Sequence, residues 1–335
     1  MESNAKEFER LIVELLEANQ FKISSPRNSS SGFSFEAQLG KTRWAVEVKY
    51  YRTRRAQPSL IEKAAAALLQ SARAANYTKA MLVLSCRLDP DLRESLENRF
   101  NILFVDRIDI SMWARQAIHL VDPLASLLEE MPESDRFQSK DIDQEISIQE
   151  NNIELAVSSE GASLCRELRS LGVGNKHWSQ YEDLCVRIIR YLFPNDLSGW
   201  QKQKRSDDTL NRYDLICRLS PTTEFWRFVD ARLSSRYVLF EFKNYRGRIK
   251  QGQVLSTEKY LLPLALRRFG IILTRKGADK NAHKAAAGAM RESGKMMLIL
   301  DDDDLCNLLH AKDKGDDPSD ILFLVADEFL MTMNR

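Results

Sequence analysis

No apolar run in this chain approaches the roughly 18 residues that a membrane-spanning helix requires, so no transmembrane anchor is expected. The first residues, Met1 to Glu7, are acidic and polar, unlike a signal peptide, and the cytoplasm is the expected location. Cysteine is sparse: Cys86, Cys165, Cys185, Cys217 and Cys306 form no C-x-x-C pair and sit mostly in apolar periodic stretches. That pattern excludes a zinc framework and predicts reduced core thiols rather than disulfides. The four isolated histidines add nothing to a zinc site. No Walker motif is present, so any nucleotide hydrolysis would belong to a partner. Gly172-Val173-Gly174 lacks the preceding strand that a phosphate loop needs, and reads as a turn.

An excess of charge of one sign is also missing, since the net charge is +1. The local distribution is more telling. Basic residues crowd positions 41–55, 202–205 and 243–250, while acids gather over 129–160 and 301–304. A neutral protein can still carry a basic groove, although any one such cluster also fits a solvated face. The Asp301 to Asp304 run precedes Leu305 and reads as the acidic start of a helix.

Apolar spacing divides the chain into an N-terminal domain at 1–127, an acidic linker at 128–150, and a C-terminal domain at 151–335 with a helical lead-in. In the first zone, a helical period over 8–16 is followed by a polar loop at 24–32. Strand patterns at 33–39 and 43–50 flank Gly40-Lys41-Thr42, a hairpin signal. An alanine-rich helix at 61–75, a buried strand at 80–85, a helix at 92–99, a strand at 102–105 and a helix near Ile110 complete it. The second zone repeats this order: a helix over 180–193, strands at 213–219 and 237–242 around a polar insertion at 221–235, a helix at 254–268, and strands at 269–274 and 296–300. Phe8-Glu9 matches Tyr181-Glu182, Glu47-Val48-Lys49 matches Glu241-Phe242-Lys243, Leu84-Ser85 matches Leu273-Thr274, and Val105-Asp106 matches Leu300-Asp301. Several matches in one order predict two α/β domains of one fold. Each is expected to have an α-β-β-β-α-β core, a mixed central sheet flanked by helices.

Strand residues alternate faces, so Glu241 and Lys243 point one way and Phe242 the other. An acid-x-Lys triplet alone also describes a surface ion pair. Here it ends the apolar run Tyr237-Val238-Leu239-Phe240, where burying a charge without a partner is costly. Asp214, on the preceding strand, and Glu241 together offer the hard oxygen ligands that Mg²⁺ prefers. Lys243 would orient an attacking water or stabilise developing charge, and Glu182 on the first helix is a further candidate ligand. Arg246, Arg248 and Lys250 follow at once, with Lys202, Lys204 and Arg205 nearby in sequence; all suit a phosphate backbone. Tyr245 suits stacking on a base or sugar, or packing.

At these residues the second zone, over about 178–310, resembles the PD-(D/E)xK restriction-endonuclease-like superfamily in its Mrr-like branch. The resemblance rests on Tyr181-Glu182, Tyr213-Asp214-Leu215-Ile216 and Phe240-Glu241-Phe242-Lys243-Asn244-Tyr245. It implies metal ligation by Asp214 and Glu241, less securely by Glu182, and water activation by Lys243. It also implies a Mg²⁺-dependent endonuclease acting on DNA, with Mn²⁺ as a substitute ion and a role in restriction or anti-phage defence. A homodimer follows if two strands are cut, and an NTPase or sensor subunit is a further partner to consider. The long insertion leaves Asp207, Asp208 and Asp230 as rivals for the first acid, but only Asp214 heads an apolar strand.

The first zone is similar to the same superfamily through Trp44-Ala45-Val46-Glu47-Val48-Lys49-Tyr50-Tyr51, with Arg52 and Arg54 as phosphate contacts. The alignment puts Ser34 where the first acid belongs. Two readings stay open: a degenerate site that binds nucleic acid or scaffolds the fold, or a working site of Glu36, Glu47 and Lys49. Two readings of the whole also stay open: a nuclease, on DNA or RNA, or a non-catalytic pair that binds nucleic acid and recruits a partner.

Overall fold

The computed structural model describes residues 4–24, 32–53, 55–128, 160–202 and 213–333. It divides into two units: Met1–Ser158 with Lys314–Asp316, and Ser159–Asp313 with Asp317–Arg335.

The first unit opens with α1 (Asn4–Ala18), whose buried Phe8, Leu11, Ile12, Leu15 and Leu16 recur at helical spacing. Strands β1 (Lys22–Ser24), β2 (Phe35–Leu39) and β3 (Thr42–Lys49) follow. Gly40, at φ 59°, makes the tight turn between β2 and β3. Then come α2 (Pro58–Ala74), β4 (Lys79–Leu84), α3 (Pro90–Phe100), β5 (Leu103–Val105), α4 (Arg107–Ala114) and α5 (Ile118–Leu127). The sheet order is β1-β2-β3-β4-β5, antiparallel over the first two pairings and parallel over the last two. Alternation along β3 sends Trp44 and Val46 into a core with α1, α4 and α5. Ala45 points to the other face, under α2 and α3. A fully buried side chain such as Trp44 or Phe8 contributes roughly 1.5–3 kcal/mol.

The second unit contains α6 (Glu160–Ser170), α7 (Trp178–Leu192), β6 (Leu197–Lys202), β7 (Leu215–Leu219), α8 (Glu224–Ala231) and β8 (Tyr237–Lys243). It continues with α9 (Gln251–Glu258), β9 (Phe269–Thr274), α10 (Lys280–Ser293), β10 (Met296–Leu300), α11 (Asp302–Asp313) and α12 (Pro318–Met331). Its sheet runs β6-β7-β8-β9-β10, again antiparallel twice and then parallel twice. Both units are thus five-stranded mixed sheets flanked by helices, with one strand order and one set of directions.

The structure departs from the sequence reading in four places. The stretch over 221–235 is no polar insertion: α8 buries Phe225, Trp226 and Val229 at helical spacing. The helix expected over 254–268 ends at Glu258, and the chain then turns through Pro263 to Leu266, which has φ 56°. The short strands β1 and β6 add a fifth strand to each sheet. Finally, Cys165 and Cys306 form a disulfide, because α6 packs on α11 and brings their Cα atoms to 5.2 Å. Cys86, Cys185 and Cys217 are free and buried. The polar loop over 25–31 and the acidic linker over 129–150 lie outside the described residues.

Asp301 caps α11, its Oδ1 accepting the backbone N–H groups of Asp303 and Asp304. The acidic run is therefore a helix start, as its sequence indicates. Among the described residues no helix is long and apolar enough to cross a membrane.

Candidate active site

Along β8, Val238, Phe240 and Phe242 enter the core shared with α7, whereas Leu239 enters the opposite core with α9 and α10. Glu241 and Lys243 follow Leu239 by alternation. Leu215 pairs with Phe240, so Asp214, just ahead of β7, stands opposite Glu241. The backbone N–H of Phe242 donates to Asp214 Oδ2 at 2.7 Å, which fixes that carboxylate against the E-x-K strand. Lys243 Nζ donates to Glu241 Oε1 at 2.5 Å. The structure therefore brings together Asp214, Glu241 and Lys243.

Glu241 is only 4% exposed, and its Oε2 is buried with no hydrogen-bond partner among the described residues. Burial, reinforced by the charge of Asp214 and opposed by Lys243, pushes its pKa up to about 7. Burial works against the Lys243 ammonium, but the charge and hydrogen bond of Glu241 outweigh it and raise its pKa. The lysine is thus a committed cation. Two carboxylates, one with an orphaned buried oxygen, make a donor set that fits a hard divalent ion better than any buried proton donor present.

Glu182 lies half-buried on α7, which packs on the Phe240 and Phe242 side of the sheet through Tyr181 and Leu184. Among the described residues no group of three or more His, Cys, Asp or Glu side chains is close enough to hold a metal ion. Glu182 is therefore not gathered with Asp214 and Glu241 into a three-carboxylate set. Among the rivals for the first acid, Asp230 falls on α8, and Asp207 and Asp208 lie outside the described residues.

In the first unit Phe35 pairs with Val46, which sets Ser34 opposite Glu47. Ser34 Oγ accepts the Val48 N–H at 3.1 Å and donates to Glu47 Oε2 at 3.2 Å. Lys49 Nζ lies 3.2 Å from Glu47 Oε1 and 2.7 Å from Oδ1 of Asp316, in the Lys314–Asp316 segment of the same unit. Glu36, two residues beyond Ser34, is held by Arg43 at 2.6 and 3.0 Å and by the Tyr77 hydroxyl at 2.6 Å. Glu47 and Lys49 are thus adjacent, while Glu36 is engaged by Arg43 and Tyr77 farther along the sheet.

A residue missed from sequence is Glu9 on α1, whose pKa is raised by burial and by the charge of Glu47. The signal was the match of Phe8-Glu9 to Tyr181-Glu182, which marked Glu182 but was not carried back to Glu9.

Arg246, Arg248 and Lys250 are exposed on the loop leaving β8, and Tyr245 beside them is 41% exposed, so it does not pack inside. Those three cations make no ion pair with another described residue. Lys202 is paired with Asp183 at 2.5 Å, and Arg52 is half-buried. Lys204, Arg205 and Arg54 lie outside the described residues.

No curated protein matches the chain. A family model described as Restriction endonuclease, Mrr_cat, matches residues 1–114, from α1 to the end of α4. The match therefore falls on the unit with Ser34, Glu47 and Lys49, and not on the zone over 178–310 where the resemblance is fuller in motifs. Likeness of the second unit to the first rests on shared strand order and on the matching hydrogen bonds to Val48 and Phe242. Over residues 1–114, about a third of its length, the chain is similar to the family described as Restriction endonuclease, Mrr_cat.

Proposed function

We propose that this chain is a divalent-metal-dependent endonuclease that hydrolyses DNA, with Asp214, Glu241 and Lys243 of its second unit as the reacting centre. The observation that carries the reading is the pair of facing carboxylates, one tied to the Phe242 N–H and the other to Lys243 Nζ.

Asp214 and Glu241 would hold Mg²⁺, or Mn²⁺ in its place. When bound, such an ion neutralises phosphate charge and makes a bound water more acidic. The protein's own residues do the rest. Phe242 N–H keeps one Asp214 oxygen fixed, so that carboxylate is held in place before an ion binds. Glu241 presents its buried Oε2, which has no hydrogen-bond partner among the described residues. Lys243, held protonated by Glu241, orients the attacking oxygen and offsets the charge that develops on the phosphate. Arg246, Arg248 and Lys250 hold the backbone on either side of the cut. Glu182 acts at most through water.

With one such carboxylate pair among the described residues, cutting both strands takes two chains, so a homodimer is the working form. Restriction of foreign DNA in the cytoplasm, with an NTPase or sensor subunit, is the setting that the family suggests. A second reading, a pair that binds nucleic acid without cutting, is favoured by two observations: the matched unit carries Ser34 in place of an acid, and Glu182 is not gathered with Asp214 and Glu241. Plasmid cleavage in Mg²⁺ by the native chain and by Glu241→Ala separates the readings.

A further inference from the structure

The second unit contains a cavity of about 680 Å³ between α10 and α12, floored by the edge strand β10. Neither the carboxylate pair nor the basic loop after β8 belongs to it. Its size falls within the roughly 300–1,000 Å³ of small-molecule sites and is far too small for a duplex.

The two walls differ in chemistry. The α10 wall carries Lys280, His283, Lys284 and Arg291. Lys280 and Lys284 are one turn apart, so their stems start about 5–6 Å from each other, a spacing that suits adjacent phosphates. Lys280, His283 and Lys284 are exposed, and none makes an ion pair with another described residue. Against this stands a single acid, Glu328. The floor and far wall are apolar: Met297 and Ile299 from β10, and Val325 and Phe329 from α12. Phe329 is half-buried, so part of its ring is open to a flat partner, and the Met297 thioether suits an aromatic neighbour.

A row of basic side chains facing an apolar floor and one aromatic ring matches a ligand that is anionic at one end and flat at the other. We propose that this cavity binds a nucleoside phosphate, with its phosphates on Lys280 and Lys284 and its base against Phe329 and Met297. Glu328 accepts a sugar hydroxyl or a base N–H. The site takes no part in hydrolysis. Ile299 pairs with Ile272 and Ile272 with Glu241, so the cavity floor reaches the sheet row of Glu241, about 10 Å away across two strand spacings.

The test is calorimetric titration of the full chain, in EDTA, with ATP, GTP, CTP and UTP, and with inorganic triphosphate and octyl phosphate as probes of each half alone. At least one nucleotide is expected to saturate at roughly 100 µM or tighter, with both half-probes about tenfold weaker. Lys280→Ala/Lys284→Ala, two exposed positions, is expected to weaken that nucleotide about tenfold or more with an unchanged Tm. Glu241→Gln is expected to bind it as the native chain does, which separates this proposal from the nuclease reading. Saturation by none of the four nucleotides, equal binding by the double variant, or octyl phosphate binding as tightly as every nucleotide would overturn it.

Discussion

Ser34 accepts the backbone N–H of Val48 as Asp214 accepts that of Phe242, and each stands opposite a glutamate one residue before that N–H. The two units build one turn of backbone with different side chains. A hydroxyl keeps the hydrogen bond but removes a charge, so the first unit has Glu47 where the second has a carboxylate pair.

That difference is testable by exchange. Ser34→Asp in a Glu241→Ala background is expected to add a Mn²⁺ site that the background lacks, read by titration followed by electron paramagnetic resonance. Asp214→Ser is expected to weaken the second unit's Mn²⁺ affinity by about tenfold to a hundredfold. Unchanged binding in both variants would show that these positions do not hold a metal.

The Glu241 carboxyl titrates near 4.5 in the unfolded chain and at about 7 in the folded one. Between those values the folded protein holds the extra proton, so this contribution to stability is full below pH 4.5 and is lost as pH rises through about 7. In EDTA, chemical denaturation at pH 5 and pH 8 should show a fall in which Glu241 accounts for on the order of 2–3 kcal/mol. Glu241→Gln is expected to flatten the fall by that amount. Equal slopes in the two proteins would contradict the buried, proton-holding carboxyl.

Asn244 ties the turn before α7 to the end of β8. Its Nδ2 donates to the carbonyls of Gly172 and Gly174, both at 3.2 Å, and Gly174 N–H donates back to the Asn244 carbonyl at 3.0 Å. Asn244→Ala removes the two side-chain bonds and leaves the part-buried Gly172 carbonyl unmet, while the Gly174 carbonyl keeps the His177 N–H, at a cost of roughly 1–3 kcal/mol. Urea denaturation reads the loss directly. No change would mean that the turn is held by backbone alone.

The disulfide and the free thiols give a further chemical test. Cys306→Ser is expected to lower unfolding free energy by roughly 2–4 kcal/mol, since it opens a long covalent loop. Burial pushes the Cys86 and Cys217 thiols up to about 12, so a thiol reagent should label neither in the native state. Rapid labelling of either before unfolding would contradict their burial.

Much of this was legible in sequence. Phe240-Glu241-Phe242-Lys243 reads as a strand with two charges on one face, and Ser34 aligns with Asp214 on pattern alone, as the sheet register bears out. Other features were not legible because tertiary context decides them. The buried face of α8 was hidden among polar neighbours, and β1 and β6 are too short or too exposed for a clear alternation. Cys165 and Cys306 lie 141 residues apart, a pairing that no spacing rule reaches. Glu9 and Glu182 are helix residues whose reach toward the strand acids depends on how each helix sits on its sheet.

The measurement that bears most directly on the account is cleavage of supercoiled plasmid, methylated and unmethylated, with Mg²⁺ and with EDTA. Native protein is expected to nick or linearise at least one plasmid only with the metal. Lys243→Ala and Glu241→Ala are expected to lose about a hundredfold or more of that rate while keeping native folding and DNA binding. Undiminished cleavage by both variants, or cleavage in EDTA, would contradict Asp214, Glu241 and Lys243 as the reacting centre.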